Sequence, residues 1–151
     1  MTSTAHHVPE QPSFIRGPRK SDQGYVASTW VRQMQRVDPR AARGGRFGEL
    51  GRMVDAVFER DDTRVLIRHS PGDRDAIRGW VLFAEGVGVP LVHFVYVRRE
   101  HRGQGIASEL LGAVGMQPTT PYVFTCRGEH CDRLQSKYRA GSHLPLGEFL
   151  R

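Results

Sequence analysis

The apolar residues of the chain keep two rhythms, and the change between them divides the sequence. Leu50, Met53, Val54, Val57 and Phe58 recur at i, i+3, i+4, i+7 and i+8, the spacing that fills one face of a helix, so an amphipathic helix is predicted after Gly44-Gly45. From Thr63 the pattern becomes strand-like. Val65-Leu66-Ile67 runs to a Ser70-Pro71-Gly72-Asp73 turn, Ile77 to Ala84 is a second apolar stretch, and Leu91 to Val97 follows a turn over Gly86 to Pro90. Three strands with such short links form an antiparallel meander. Upstream, Phe14 and Ile15 begin a short strand that ends at Gly17-Pro18. Ser21 or Asp22 then caps a helix with Tyr25, Val26, Thr29, Trp30, Gln33 and Met34 on one face, stopped at Asp38-Pro39. Downstream, Ile106, Ala107, Leu110, Leu111 and Val114 mark a further helix, and Pro118 and Pro121 bracket a loop. Tyr122 to Cys126 reads as the last good strand, parallel to Leu91–Val97 because a helix lies between them, and a short helix surrounds Asp132 to Tyr138. The first dozen residues, with Pro9, Pro12 and the adjacent His6 and His7, read as a flexible tail, which leaves 13–151 as a single α/β domain.

Composition narrows the class further. No stretch of the 151 residues approaches the roughly 18 to 20 apolar positions of a membrane span, and residues 1–12 lack an apolar signal region. Two cysteines, Cys126 and Cys131, are too few for a disulfide scaffold and suit a reducing compartment, so a soluble, cytoplasmic protein is expected. The formal net charge of +6 favours an acidic partner.

The run from Val95 to Leu111 carries the chemistry. An apolar strand stops at Val97, a basic loop with Gly103 and Gly105 follows, and the helix begins at the second glycine. Helix N-termini leave backbone N–H groups unpaired, glycines let a ligand approach them closely, and Arg98, Arg99 and Arg102 add positive charge. A pyrophosphate fits such a place. The loop lacks the Gly-Lys-Ser/Thr of a nucleoside-triphosphate loop, and lacks the third glycine and downstream acidic strand end of a dinucleotide fold.

Arg102-Gly103-Gln104-Gly105-Ile106-Ala107 resembles the acyl-CoA-binding motif of the GNAT (GCN5-related N-acetyltransferase) superfamily, which reads Arg or Gln, two residues, Gly, one residue, Gly or Ala. The order of elements over about residues 13 to 140 is similar to that fold too, and small size and abundant arginine resemble small phage-borne or actinobacterial members. The resemblance implies a GNAT fold: a mixed, mostly antiparallel sheet whose parallel pair splays apart, flanked by about four helices. It implies acetyl-CoA, or another acyl-CoA, as co-substrate. Arg102, Gly103, Gln104, Gly105, Ile106 and Ala107 would hold its pyrophosphate, and Val95 and Val97 would pair with its pantetheine arm through their main chain. The reaction implied is acyl transfer from the thioester to a primary amine of a small molecule or a protein. One departure stands out. After Tyr138 only thirteen residues remain, with Gly141, Pro145 and Gly147 among them, too few for the family's closing hairpin, so the acceptor side is expected to be open or completed by a second subunit in a homodimer.

Such chemistry needs a route for the amine proton and a donor for the leaving thiolate. His93, on the strand expected to carry the thioester and on one face with Val95 and Val97, is the candidate base, against a reading as a histidine satisfied at a sheet face. Tyr138, resembling the family's tyrosine after the fifth strand, is the candidate acid, against a simple packing role. Glu85 abuts Gly86 in a turn and reads as a solvated charge. Cys126 and Cys131, with His130 and His143, offer zinc-like donors, but Cys126 ends a strand and no metal is assigned. Two other classes stay open: a non-catalytic CoA-binding module, and a nucleic-acid-directed modifying protein, the latter on Trp30 with Arg32, Arg36, Arg40, Arg43 and Arg46.

Overall fold

The computed structural model describes residues 13–37, 48–86, 88–127 and 131–151, the side chains of Cys131 and Asp132 excepted. The N-terminal tail, the stop at Asp38-Pro39, Gly44-Gly45, the arginines at 40, 43 and 46, Val87 and Gly128–His130 lie outside the described residues. In chain order the elements are β1 (Ile15–Arg16), α1 (Asp22–Val37), α2 (Glu49–Glu59), β2 (Thr63–Ser70), β3 (Asp73–Ala84), β4 (Leu91–Val97), α3 (Ile106–Val114), β5 (Tyr122–Phe124), α4 (Cys131–Lys137), β6 (Gly141–His143) and α5 (Leu146–Phe149). The strands form one six-stranded sheet in sequence order, antiparallel from β1 to β4 and parallel from β4 to β6. Among the described residues no helix is long and apolar enough to cross a membrane.

Side-chain alternation splits the interior into two cores, one on each face of the sheet. Val65 and Ile67 of β2 and Trp80 and Leu82 of β3 pack with Val26, Trp30, Val54 and Val57 of α1 and α2. Their neighbours Leu66, Val81 and Phe83 pack on the other side with Ile106, Leu110 and Leu111 of α3. The period of α2 is the one read from the sequence, with Leu50, Val54 and Val57 buried. Polar ties hold the layers in place. Trp80 Nε1 donates to Thr29 Oγ1 at 2.9 Å, and the buried Arg16 guanidinium pairs with Asp22 at the start of α1 at 2.7 Å. Arg68 of β2 reaches Glu109 in the first turn of α3 at 2.9 Å. At Gly79 any Cβ would stand 2.6 Å from Tyr96 O and 3.3 Å from Ile106. Only glycine lets α3 start so close to the sheet.

The C-terminus departs from expectation. Tyr122–Phe124 is not the last strand: Gly141–His143 adds β6 parallel to it, with Tyr122↔Gly141 as the first pair. The last residues then form α5, whose Leu146 is buried in the α1/α2 core, with Phe149 and Leu150 packed against that core. Three residues suffice for β6 because Gly141 leaves room for the Tyr122 ring, whose hydroxyl donates to Tyr138 O at 2.9 Å. The sheet thus gains its sixth strand from within the chain, and five α-helices rather than about four are described.

Candidate active site

The loop after β4 is built from backbone. Arg99–His101 makes a 3-10 turn, and Gly103 and Gly105 both adopt φ of 80°, a left-handed conformation natural only to glycine. Gly105 is the N-cap of α3 and supplies no side-chain cap. The first intrahelical bond runs from Glu109 N to Gly105 O at 3.0 Å, so the amides of Ile106, Ala107 and Ser108 have no partner inside the helix and head its positive pole. They line a groove of about 830 Å³, open mouth included, whose other wall carries Arg133, Lys137 and Tyr138. Lys137 Nζ donates to Ser108 Oγ at 2.7 Å across it. Gln104 is exposed between the two glycines.

Beside this groove a fissure of about 680 Å³, open solvent included, lies between β4 and β5, sharing Val95, Val97, Arg102 and Leu134 with it. The strands part because their pairing is short. The parallel register runs only through Leu91↔Val123 and Val92↔Phe124, with Val123 N donating to Pro90 O and Thr125 N to Val92 O. Directly beyond lies a bulge. Opposite β3, Leu82 pairs with Phe94 and Phe83 with Val92, which leaves His93 as the extra residue. Val92 and Val95, three apart, consequently pack in the same α3 core. The bulge also turns the main chain. Arg98 N donates to Arg78 O at 2.8 Å, so by the alternation of an antiparallel ladder residues 98 and 96 face β3, while Val97 and Val95 present N–H and C=O to the gap. Arg102 Nε donates to Val97 O at 3.1 Å, fastening the loop to the strand end.

His93 does not share a face with Val95 and Val97. The bulge carries it to the α1 side, where its ring meets Trp30 at 6.1 Å and Phe149 at 4.8 Å between centroids. It is 1% exposed yet lines the inner part of the fissure. Nδ1 shares a 2.8 Å hydrogen bond with Thr125 Oγ1, and Nε2 is buried without a protein partner. Burial holds its pKa down to about 4, with the Asp62 carboxylate opposing only weakly. Tyr138, also buried, lines the loop groove rather than the inner fissure. The two candidates therefore stand along one continuous channel, in its separate parts.

Other residues named from the sequence take the following places. Arg98 is paired with Glu100 at 2.9 Å, so part of the loop's expected charge is neutralised. Trp30 is fully buried and has no face for a nucleobase. The Cys126 thiol is buried, pushed up to about 11 by desolvation and beside Thr125 Oγ1 at 3.6 Å, while the His143 ring stacks on Phe124. Glu85 pairs with Arg64 at 2.8 Å on the surface. Lys137 and Ser108 were missed, although Lys137 lies one turn beyond Arg133 on α4. Gln33 and Tyr96, which line the fissure, and Thr125 and Phe149, which contact His93, were missed because nothing in their local pattern brings them together.

A mixed sheet parted between two parallel strands, with a glycine loop and a helix N-terminus at the mouth, defines an acyl-CoA-using transferase fold. The sequence profile of the acetyltransferase (GNAT) family matches residues 30–114. The chain belongs to that family and is an N-acetyltransferase of the GNAT type. No curated protein sequence matches it. Solved structures share the fold at low identity. A possible acetyltransferase from Clostridium difficile 630 superposes with a TM-score of 0.58 at 14% identity, over 83% of this chain and 86% of that one. A mutant protein from Bacillus halodurans gives 0.55 at 15%, over 83% and 89%. AAC(6')-Iy, solved in complex with the bisubstrate analogue CoA-S-monomethyl-acetylneamine, gives 0.51 at 13%, over 83% and 87%.

Proposed function

We propose that residues 13–151 form one acyltransferase domain that moves an acetyl group from acetyl-CoA to a primary amine. The observation that carries this reading is the continuity of channel: open amides at Ile106–Ser108 lead past Val95 and Val97, whose main chain faces the gap, to His93. Arg102 and the amides of Gly103 to Ala107 hold the pyrophosphate, since a helix N-terminus with left-handed glycines binds such an anion. Val95 and Val97 pair with the pantetheine amides as an added strand would.

His93 acts as the base in this proposal. With Nδ1–H donated to Thr125 Oγ1, Nε2 keeps its lone pair for the proton released as the amine attacks. Tyr138 donates to the thiolate as it leaves. Neither residue forms a covalent intermediate, because the amine attacks the thioester directly.

Calorimetric titration with acetyl-CoA tests the cofactor reading. Binding is expected, and at about 100 times the dissociation constant the ligand raises stability by roughly 2.7 kcal/mol, visible as a higher Tm. No heat and no shift with acetyl-CoA, CoA or longer acyl-CoAs would overturn it.

A further inference from the structure

We infer that the acceptor is a small aromatic amine, uncharged at neutral pH, whose ring lies in the α1-side half of the fissure between Phe94, Tyr96 and Cys126 with its nitrogen at His93. The inference rests on the acyltransferase reading above and adds the substrate's chemistry to it.

The fissure passes through the sheet, so its two halves are walled differently. On the α3 side the walls are Val92, Val95, Val97 and Leu111, which leave room for the cofactor arm. On the α1 side the walls are Gln33, His93, Phe94, Tyr96 and Cys126. Among the described residues that line the fissure none is a carboxylate, and the one charged side chain is Arg102. Carboxylates do stand nearby in the chain, but each is engaged elsewhere. Asp62, which acts on His93 from a distance, is held by Arg60 at 2.9 Å, and Glu100 is held by Arg98. An alkylammonium entering this space would leave water for aromatic walls with no counter-ion among the described residues that line it and with Arg102 along the channel. Burying an unpaired charge is strongly unfavourable. An aromatic amine carries no such charge, and its ring meets Phe94 and Tyr96 edge or face.

The buried base agrees with this. The His93 imidazole releases its proton down to about pH 4, far too weak a base to deprotonate an alkylammonium of pKa about 10. An amine that arrives neutral needs no such step. Its nitrogen lone pair attacks the thioester carbon, the new N–C bond makes the nitrogen strongly acidic, and Nε2 takes the proton then. The C–S bond breaks, and the sulfur leaves as CoA thiol with one proton, so one hydrogen passes in net from nitrogen to sulfur and nothing is oxidised.

The test compares two amines of similar size and opposite charge, aniline and cyclohexylamine, with acetyl-CoA at pH 7, amide product being measured by mass spectrometry. Aniline is expected to show at least a hundredfold higher kcat/KM, and spermine no product. Equilibrium binding in the presence of CoA, read by calorimetry, should detect aniline and not cyclohexylamine. In Gln33→Glu, which adds a carboxylate to the wall with little change of shape, the preference for aniline should fall at least tenfold. Cyclohexylamine or spermine turning over as fast as aniline would overturn the proposal, as would an unchanged preference in Gln33→Glu. Acetyl-CoA binding without aniline turnover would overturn the acceptor class alone, whereas failure of acetyl-CoA to bind would overturn the acyltransferase reading beneath it.

Discussion

The two ends of the channel are made of different material. At the mouth, the loop from Arg102 to Ala107 offers peptide N–H groups set by two left-handed glycines and a helix start, and the side chains contribute little to its shape. At the inner end, His93 is placed by a bulge in β4, a hydroxyl directly after β5, an indole on α1 and a phenyl ring on α5. A site made of backbone is written in consecutive residues. A site made of side chains from four elements exists only once the fold has formed, and it tolerates single changes less uniformly.

The largest effect should come from placing the wrong charge at the mouth. Gly105→Asp puts a carboxylate where the pyrophosphate is proposed to bind, and like charges in contact cost several kcal/mol, so acetyl-CoA affinity is expected to fall at least about a thousandfold by calorimetry. Nothing lies within 4 Å of the added Cβ. Asp enters the left-handed region at less cost than most residues but still with strain, so the melting temperature without ligand should fall while the variant stays folded. Retained binding in a folded Gly105→Asp variant would remove the mouth's part of the comparison.

How much of each end the sequence revealed follows from the same difference. The strand, loop and helix around Gly103 and Gly105 are contiguous, so the glycine loop and its helix start were legible from spacing alone. His93 was legible as a candidate but its face was not. Alternation predicts the side of a strand residue only while the ladder is regular, and the extra residue in β4 reverses it between Val92 and Val95. β6 was invisible because three residues carry no period, and its pairing rests on a glycine making room for Tyr122. Trp30 beside arginines resembled a base-stacking surface, yet the same residue sits on the apolar face of α1, and burial won.

The inner end should show itself next in acid. The folded-state pKa of His93, about 4, lies below its ordinary 6.5, so the unfolded chain binds the proton first as pH falls. Stability is therefore full above pH 6.5, declines between 6.5 and 4, and is lost in that amount below. The shift corresponds to about 3 kcal/mol. Urea unfolding of wild type and His93→Gln across this window should give curves of different slope, the wild type losing about 3 kcal/mol that the variant does not lose. Asp22, lowered chiefly by its hydrogen bond with Arg16, loses its contribution only at still lower pH, as its carboxyl protonates. Parallel curves for the two proteins between pH 6.5 and 4 would mean that His93 is not held neutral by burial.

In catalysis His93→Gln should cost about a hundredfold in kcat, within the range of general-base contributions, while acetyl-CoA affinity stays within about twofold. Thr125→Val keeps the shape of β5 and removes the hydroxyl that fixes the imidazole, and its loss should be smaller, about tenfold, through a mixed tautomer population. If His93→Gln weakened cofactor binding as much as Gly105→Asp does, the separation between mouth and inner end would not hold.

Tyr138→Phe sharpens the comparison at its weakest point, because this residue lines the mouth's groove while its proposed work is at the sulfur. A phenol that only packs can lose its oxygen at little cost, since Tyr138 keeps its place through the ring contact with Tyr122 at 6.2 Å and the bond that its carbonyl accepts. A phenol that protonates the thiolate cannot. The expected outcome is an unchanged melting temperature and acetyl-CoA affinity with kcat lowered about tenfold, equivalent to about 1.4 kcal/mol of transition-state stabilisation. A matched measurement with a donor whose thiol leaves more readily should recover most of that loss, because a good leaving group needs no proton. An undiminished kcat, or a loss that the better leaving group does not repair, would assign Tyr138 to the mouth as a packing residue and leave the sulfur to be protonated from solvent.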